Sequence, residues 1–203
     1  MISIDSLTLE VSDPAAAREF YATAFDLDVP LAVRAAEAPT DGFRGFTLSL
    51  VVSQPSTVDA LVGSALDAGA TTLKPPKKSM WGYSGVVQAP DGAIWKVATS
   101  SKKESGPATR AVDDVVLLLG VADIADSKRF YVERGLEVAK SFPRKYVEFK
   151  TDPGHVTLAL YRRDALAKDA GVAPDGGGSH GIAIGSGAGA FSDPDGFAWE
   201  QAA

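Results

Sequence analysis

The chain repeats itself, and this limits its possible folds more than any other feature. The segment "IDSLTLEVSDPAAAREFYATAFDLDV" (4–29) runs in step with "VDDVVLLLGVADIADSKRFYVERGLEV" (112–138). Each has an Asp-containing entry, an apolar strand-like run, an Asp, and then a helical pattern carrying Phe20-Tyr21 or Phe130-Tyr131. Each copy closes on a Pro-Asp-Gly turn and a tryptophan, "APDGAIWKV" with the turn at 90–92 and "DPDGFAWEQ" with the turn at 194–196. Repeated units of this kind bury their apolar faces against one another. Between the copies "TSSKKESGPAT" (99–109) is polar and broken by Gly and Pro, as a connector is. The expected organisation is a first domain over 1–100, a linker over 101–109 and a second domain over 110–203.

Within each half the apolar period switches between two and 3.6 residues. "ISIDSLTLEV" reads as a strand, and Ser12 or Asp13 before Pro14 is a sound helix start. The helix then places Ala17, Phe20, Ala24 and Leu27 on one face. "FTLSLVVS" (46–53) is a strand, "PSTVDALVGSALDAGA" (55–70) a glycine-ended helix, and the stretch to residue 100 a set of strands joined by turns. The second half offers strands at "DVVLLLGV", "YVEFK", "HVTLALY", "HGIAIG" and "FAWEQA", a helix over 124–134, and a short helix at "DALAKDAG" (164–171). "GGGSHG" and "GSGAGA" lack the strand–glycine–helix context of a phosphate cradle and read as loops.

Composition removes several function classes. With no cysteine, disulfides, thiolate metal sites and cysteine nucleophiles are excluded, which suits a cytoplasmic protein. A net charge of −6, with only the short basic stretches "KPPKK" and "RR", argues against nucleic-acid binding. No apolar run reaches the roughly 18 residues of a membrane span, and no secretory leader is expected at "MISIDSLTLEV". No G-x-S-x-G context supports a serine triad.

The order of strand, "SDP", helix with "FY", "AGA" and closing Pro-Asp-Gly-x-x-Trp resembles the vicinal-oxygen-chelate superfamily, which includes glyoxalases, bleomycin-resistance proteins and extradiol dioxygenases. The resemblance covers nearly the whole chain outside the linker. It implies an α+β fold of two tandem glyoxalase-like domains built from βαβββ modules, some shortened here, whose curled mixed sheets enclose pockets. In metal-dependent members of that group the ligands come from a module's first strand and from the strand after the turn. Carried over, those positions are Ser6, Thr47, Asp114 and His180 for the first strands, with Lys96 and Glu200 for the last.

A dication needs lone pairs. Serine, threonine and a protonated lysine do not supply a sufficient set, so no metal is expected in the first half. In the second half Asp114, His180 and Glu200 form an acceptable alternative set for one divalent ion. Module pairing decides between these readings. If modules pair crosswise between the halves, Ser6 joins His180 and Glu200, while Lys96 faces Thr47 and Asp114 and can pair with Asp114. The expected function is metal-independent binding of a small molecule, aromatic or cationic, of the bleomycin-resistance type, with antibiotic or metabolite sequestration as its purpose. The alternative is a metal-dependent lyase, isomerase or dioxygenase using Asp114, His180 and Glu200. Expected ligand-binding residues are Phe43, Trp81, Tyr83, Tyr146, Lys96 and Glu200, with no catalytic residue and no cofactor. Trp95 and Trp199 alternate away from the tip residues Lys96 and Glu200 and belong to the core. A monomer or a homodimer is expected.

Overall fold

The computed structural model describes residues 3–27 and 31–202. Nineteen elements follow one another: β1 (Ile4–Val11), α1 (Pro14–Ala24), β2 (Leu31–Ala35), β3 (Thr40–Gly42), β4 (Phe46–Val51), α2 (Pro55–Asp67), β5 (Thr71–Ser79), β6 (Gly82–Gln88), β7 (Ile94–Thr99), β8 (Asp114–Val121), α3 (Ile124–Glu133), β9 (Val138–Phe142), β10 (Tyr146–Phe149), β11 (Thr157–Arg162), α4 (Arg163–Ala170), β12 (Gly176–Gly178), β13 (Ile182–Ser186), β14 (Phe191–Ser192) and β15 (Ala198–Gln201). The α+β expectation holds. Two signals read from the sequence set the helix starts. Asp13, followed by Pro14, accepts from the backbone N–H of Ala15 and Ala16, and Asp123 accepts from Ala125 and Asp126.

The halves of the sequence exchange modules. An eight-stranded sheet runs β5-β6-β7-β4-β8-β11-β10-β9, taking four strands from each half, and β4 and β8 meet antiparallel at its centre. A five-stranded sheet runs β14-β15-β13-β1-β2, with β1 antiparallel to β13. Pairing is therefore crosswise. One shortened module lies in the first half, where β3 has three residues and, among the described residues, pairs only with β12 in a ribbon. "KPPKK" lies on the edge strand β5, where a proline forfeits no interior ladder bond and lysines discourage edge-to-edge association.

Alternation along the central strands separates two faces. From β4 and β8, Phe46, Leu48, Leu50, Val115, Leu117 and Leu119 enter the core, all at most 3% exposed. Phe20 and Tyr21 of α1 and Tyr131 of α3 join this core. Trp95 and Trp199 are buried there too, as alternation requires. Tyr21 lies 5.4 Å from Trp95 and Tyr131 5.6 Å from Trp199, ring centre to ring centre. Each tyrosine also donates to an aspartate at a closing turn, Tyr21 to Asp91 within the first turn at 2.6 Å and Tyr131 to Asp193 just before the second at 2.5 Å. The repeated Phe-Tyr, turn and tryptophan are thus one packing device used twice. The connector is held as well: Gln54, 2% exposed, accepts from Ser105 and Gly106 and donates to the Pro107 carbonyl.

Candidate functional site

The other face of the eight-stranded sheet forms a cup. Strand register places Lys96, Ser49, Val116 and Thr157 in one row across β7, β4, β8 and β11. These four strands are the last and first strands of the two paired modules, and of the positions that the resemblance carries over only Lys96 lies in the row, with Thr47 and Asp114 two residues away along β4 and β8. The row offers an ammonium, a hydroxyl, an isopropyl group and a hydroxyl. That set does not fit a divalent cation, which needs several anionic or imidazole donors.

Above the row is a cavity of about 630 Å³. Its polar lining includes the cations Lys96 and Lys150, the carboxylates Asp114, Glu148 and Asp169, and the hydroxyls of Tyr146 and Thr157. Asp114 accepts from the Thr157 hydroxyl at 3.2 Å. Burial lifts its carboxyl above the usual carboxylate range, against the opposing effect of the Thr157 donation. Tyr146 donates to Glu148 at 2.5 Å, and burial with that carboxylate partner raises its phenol far above the ordinary value. One end of the cup is plugged by α4, whose Leu166, Ala167 and Ala170 pack with Phe43, Val86 and Ile94 in a second apolar cluster. Gly171, left-handed at φ 86°, ends the helix there. Asp169, in the last turn of α4, meets Lys96 at 2.6 Å. A second cavity of about 250 Å³ adjoins, lined by Lys77, Trp81, Tyr83 and Ser84 as well as Lys96 and Asp169.

The five-stranded sheet differs. Its corresponding row is Ser6, Gly185 and Glu200 across β1, β13 and β15. A Cβ on Gly185 would stand 2.2 Å from the Ser6 hydroxyl oxygen, so only glycine fits between them. Glu200 is held by Arg34 of β2, which donates to both of its carboxylate oxygens at 2.7 and 3.0 Å and to Glu10 at 2.7 Å. Hydrogen bonding to Glu200, then to Glu10, raises the guanidinium further above its ordinary value. An internal cation thus compensates both glutamates.

The residues expected from the sequence separate accordingly. Tyr146 and Lys96 line the large cavity, and Trp81, Tyr83 and Lys96 the smaller one. Phe43 does not reach either cavity's lining: it is 4% exposed, under α4, with the Arg163 guanidinium over its ring at 5.2 Å. Glu200 lies on the other sheet. The alternative metal set is not brought together, because crosswise pairing places Asp114 and Glu200 on different sheets. His180 precedes β13 instead of facing a cup from a strand. Its ring nitrogens lie 2.6 and 3.0 Å from the carbonyl oxygens of Arg44 and Asp195, and its ring stacks on Phe197 at 3.8 Å. Among the described residues no three His, Cys, Asp or Glu side chains gather as a metal site would require. Lys96 and Asp114 do share a cavity, but Lys96 pairs with Asp169.

Sequence reasoning missed Ser49, Glu148, Thr157, Asp169 and Arg34. Alternation from Thr47 and Tyr146 would have found Ser49 and Glu148. Asp169 and Arg34 act across long sequence distances and leave no local signal. Arg44 was also missed. It is 7% exposed and donates to the carbonyls of His180, Gly181 and Glu10, tying three segments together.

No protein-family model matches the sequence, and no curated protein matches it. Solved structures share its architecture. Glyoxalase I from Zea mays superposes at a TM-score of 0.63 with 15% identity, over 98% of this chain and 91% of that one. A putative dioxygenase from Bacillus subtilis subsp. subtilis str. 168 superposes at 0.53 with 15% identity, over 95% of this chain and 71% of that one. At such identities the likeness concerns backbone architecture. The exchanged βαβββ modules, two-fold pairing of first strands and closing Pro-Asp-Gly-x-x-Trp turns give this chain the fold of the vicinal-oxygen-chelate superfamily.

Proposed function

We propose that this protein binds a small organic molecule in the cup of the eight-stranded sheet and does so without a metal ion. The observation that carries the reading is the row Lys96, Ser49, Val116 and Thr157. An ammonium repels a dication, and neutral hydroxyls are weak ligands for one. The cavity above it, about 630 Å³, is in the range of small-molecule sites and combines apolar walls with a few polar groups. The Tyr146 and Phe149 rings together with the Asp114 and Glu148 carboxylates suit the capture of a small organic molecule, and sequestration of an antibiotic or metabolite is the purpose we assign to it. Both sheets are completed within one chain, which favours a monomer as the working unit. Among the described residues no helix is long and apolar enough to cross a membrane.

The test has two arms. Elemental analysis of protein purified without chelators or a nickel column should find metal well below one per chain. Native mass spectrometry and a thermal-shift screen of aromatic amines and glycopeptide antibiotics should find a bound or stabilising small molecule. Stoichiometric Mn, Fe, Ni or Zn that is lost on Asp114→Asn or Glu148→Gln overturns the metal-free reading. A protein that captures nothing in either screen overturns the binding one.

A further inference from the structure

The two cavities on the eight-stranded sheet share Lys96, Ala98 and Asp169 as a common wall. The wall's polar part is one ion pair, 2.6 Å long, between side chains 27% and 46% exposed. Partly exposed pairs of this kind are weakly held and part readily. On one side Asp114 and Glu148 line the larger cavity, and among the described residues neither has a cationic partner within ion-pair distance; they are met by Thr157 and Tyr146 hydroxyls, while Lys150 of the same lining is paired with Glu137 at 2.7 Å. On the other side Lys77 lines the smaller cavity, likewise without a carboxylate partner among the described residues. Trp81 stands at that end, 84% exposed, whereas Trp95 and Trp199 are 1% and 2% exposed. Such a large exposed aromatic beside a cleft is the kind of surface that flat apolar groups cover.

Extending the small-molecule reading above, on which this rests, we infer that the two cavities are one groove partitioned by Lys96 and Asp169. Its ligand class is an elongated amphoteric molecule. The cationic group lies between Asp114 and Glu148, and an aromatic body with an anionic group lies against Trp81 and Lys77. Entry of the ligand parts the ion pair. Each freed charge then meets a ligand group of opposite sign, since Lys96 and Asp169 both line both compartments. A ligand with a single charge leaves one compartment uncompensated and is held more weakly.

Aminohexanoyl-phenylalanine, with a free amine and a free carboxylate, is a probe of this shape. Its N-acetyl and C-amide forms each remove one charge. Binding is read by fluorescence and acrylamide quenching of Trp81, the exposed tryptophan, and checked by calorimetry. The zwitterion should protect Trp81 and bind about tenfold more tightly than either capped form, the scale of one charge-assisted contact. Asp114→Asn should weaken the zwitterion and the C-amide but leave the N-acetyl form unchanged, and Lys77→Gln should do the converse. The double variant K96M/D169N removes the partition without leaving a lone charge, and should bind the zwitterion several-fold faster while melting normally. Equal binding of all three probes, or binding with Trp81 still fully quenchable, overturns the groove and leaves the simple cup intact. Silence of all three probes with both the wild type and K96M/D169N also overturns it, whereas the simple cup is judged by the native mass spectrometry and screen above.

Discussion

Removing one oxygen from Tyr131 tests whether the repeated motif is a packing device. Tyr131 is fully buried and donates to Oδ2 of Asp193, which is 6% exposed. The other carboxylate oxygen of Asp193 already accepts from the N–H groups of Asp195 and Phe197, at 3.0 and 2.8 Å. Tyr131→Phe keeps the ring against Trp199 and Phe149 and leaves Oδ2 without a donor among the described residues. A hydrogen bond to a buried charged group contributes about 2 kcal/mol. For a chain of 203 residues that corresponds to a drop in Tm of roughly 4–8 °C. Tyr21→Phe should lose about half as much, because its partner Asp91 is only half-buried and water can replace the phenol.

The same variant carries a pH signature. Burial holds the Asp193 carboxyl above its usual range, and the Tyr131 donation works against that rise. Because the folded-state value is raised, the folded chain retains this proton more strongly than the unfolded chain, and stability falls as pH rises through the interval. Without the phenol the rise is larger, so the loss caused by Tyr131→Phe is greatest at neutral pH and shrinks as Asp193 is protonated. Urea unfolding at about pH 7.5 and about pH 4 measures it, with the pH values on either side of the isoelectric point near 4.9. An unchanged midpoint at neutral pH would refute the packing role, and an equal loss at both pH values would refute the electrostatic part.

Asp114→Asn should stabilise the fold at neutral pH and have no effect well below the ordinary carboxylate range, since burial raises this group and its ionisation opposes folding; paired urea titrations check the sign. Gly185→Ala should destabilise by about 1–3 kcal/mol through its approach to the Ser6 hydroxyl, and adding Ser6→Ala should restore most of the loss, leaving a methyl at an ordinary 3.5 Å; melting curves of the two single variants and the double close the cycle. Expressed separately, residues 1–100 and 110–203 should each lack cooperative unfolding, whereas co-expression should give a folded complex, because each large sheet draws strands from both halves; far-UV circular dichroism and gel filtration decide it.

Much of this fold was legible because its signals are local. The Asp13-Pro14 helix start, the glycine ending α2 and the alternation that buries Trp95 behind Lys96 each depend on a few neighbouring residues. The repeat also located the tyrosines that grip the closing turns. The partner of each module was not legible. Strands β1 and β13 lie about as far apart in sequence as the chain permits, and nothing in "HGIAIG" states whether it joins "ISIDSLTLEV" or its own half. That single ambiguity determined the fate of the site. Once the pairing is crosswise, Asp114 and Glu200 separate, and His180 becomes a strut between the carbonyls of Arg44 and Asp195.

The opposite charges after the two tryptophans follow from the same exchange. Lys96 and Glu200 occupy like positions in their modules but face different cups, so neither compensates the other. Glu200 shares its surface with Glu10, and two nearby carboxylates favour a cation between them. Arg34 supplies that cation from the adjacent strand, with a planar fork that reaches both at once. Lys96 favours an anion, and Asp169 supplies one from α4, a helix that also closes the end of its cup. On the five-stranded sheet a cation therefore already lies between the two carboxylates, and in the eight-stranded cup an ammonium lies in the row across the central strands. The two arrangements differ in consequence. Arg34 is shared by two carboxylates, whereas Lys96 and Asp169 form one partly exposed pair beside a cavity of about 630 Å³. The second arrangement thus combines open space with charges that a ligand can take over.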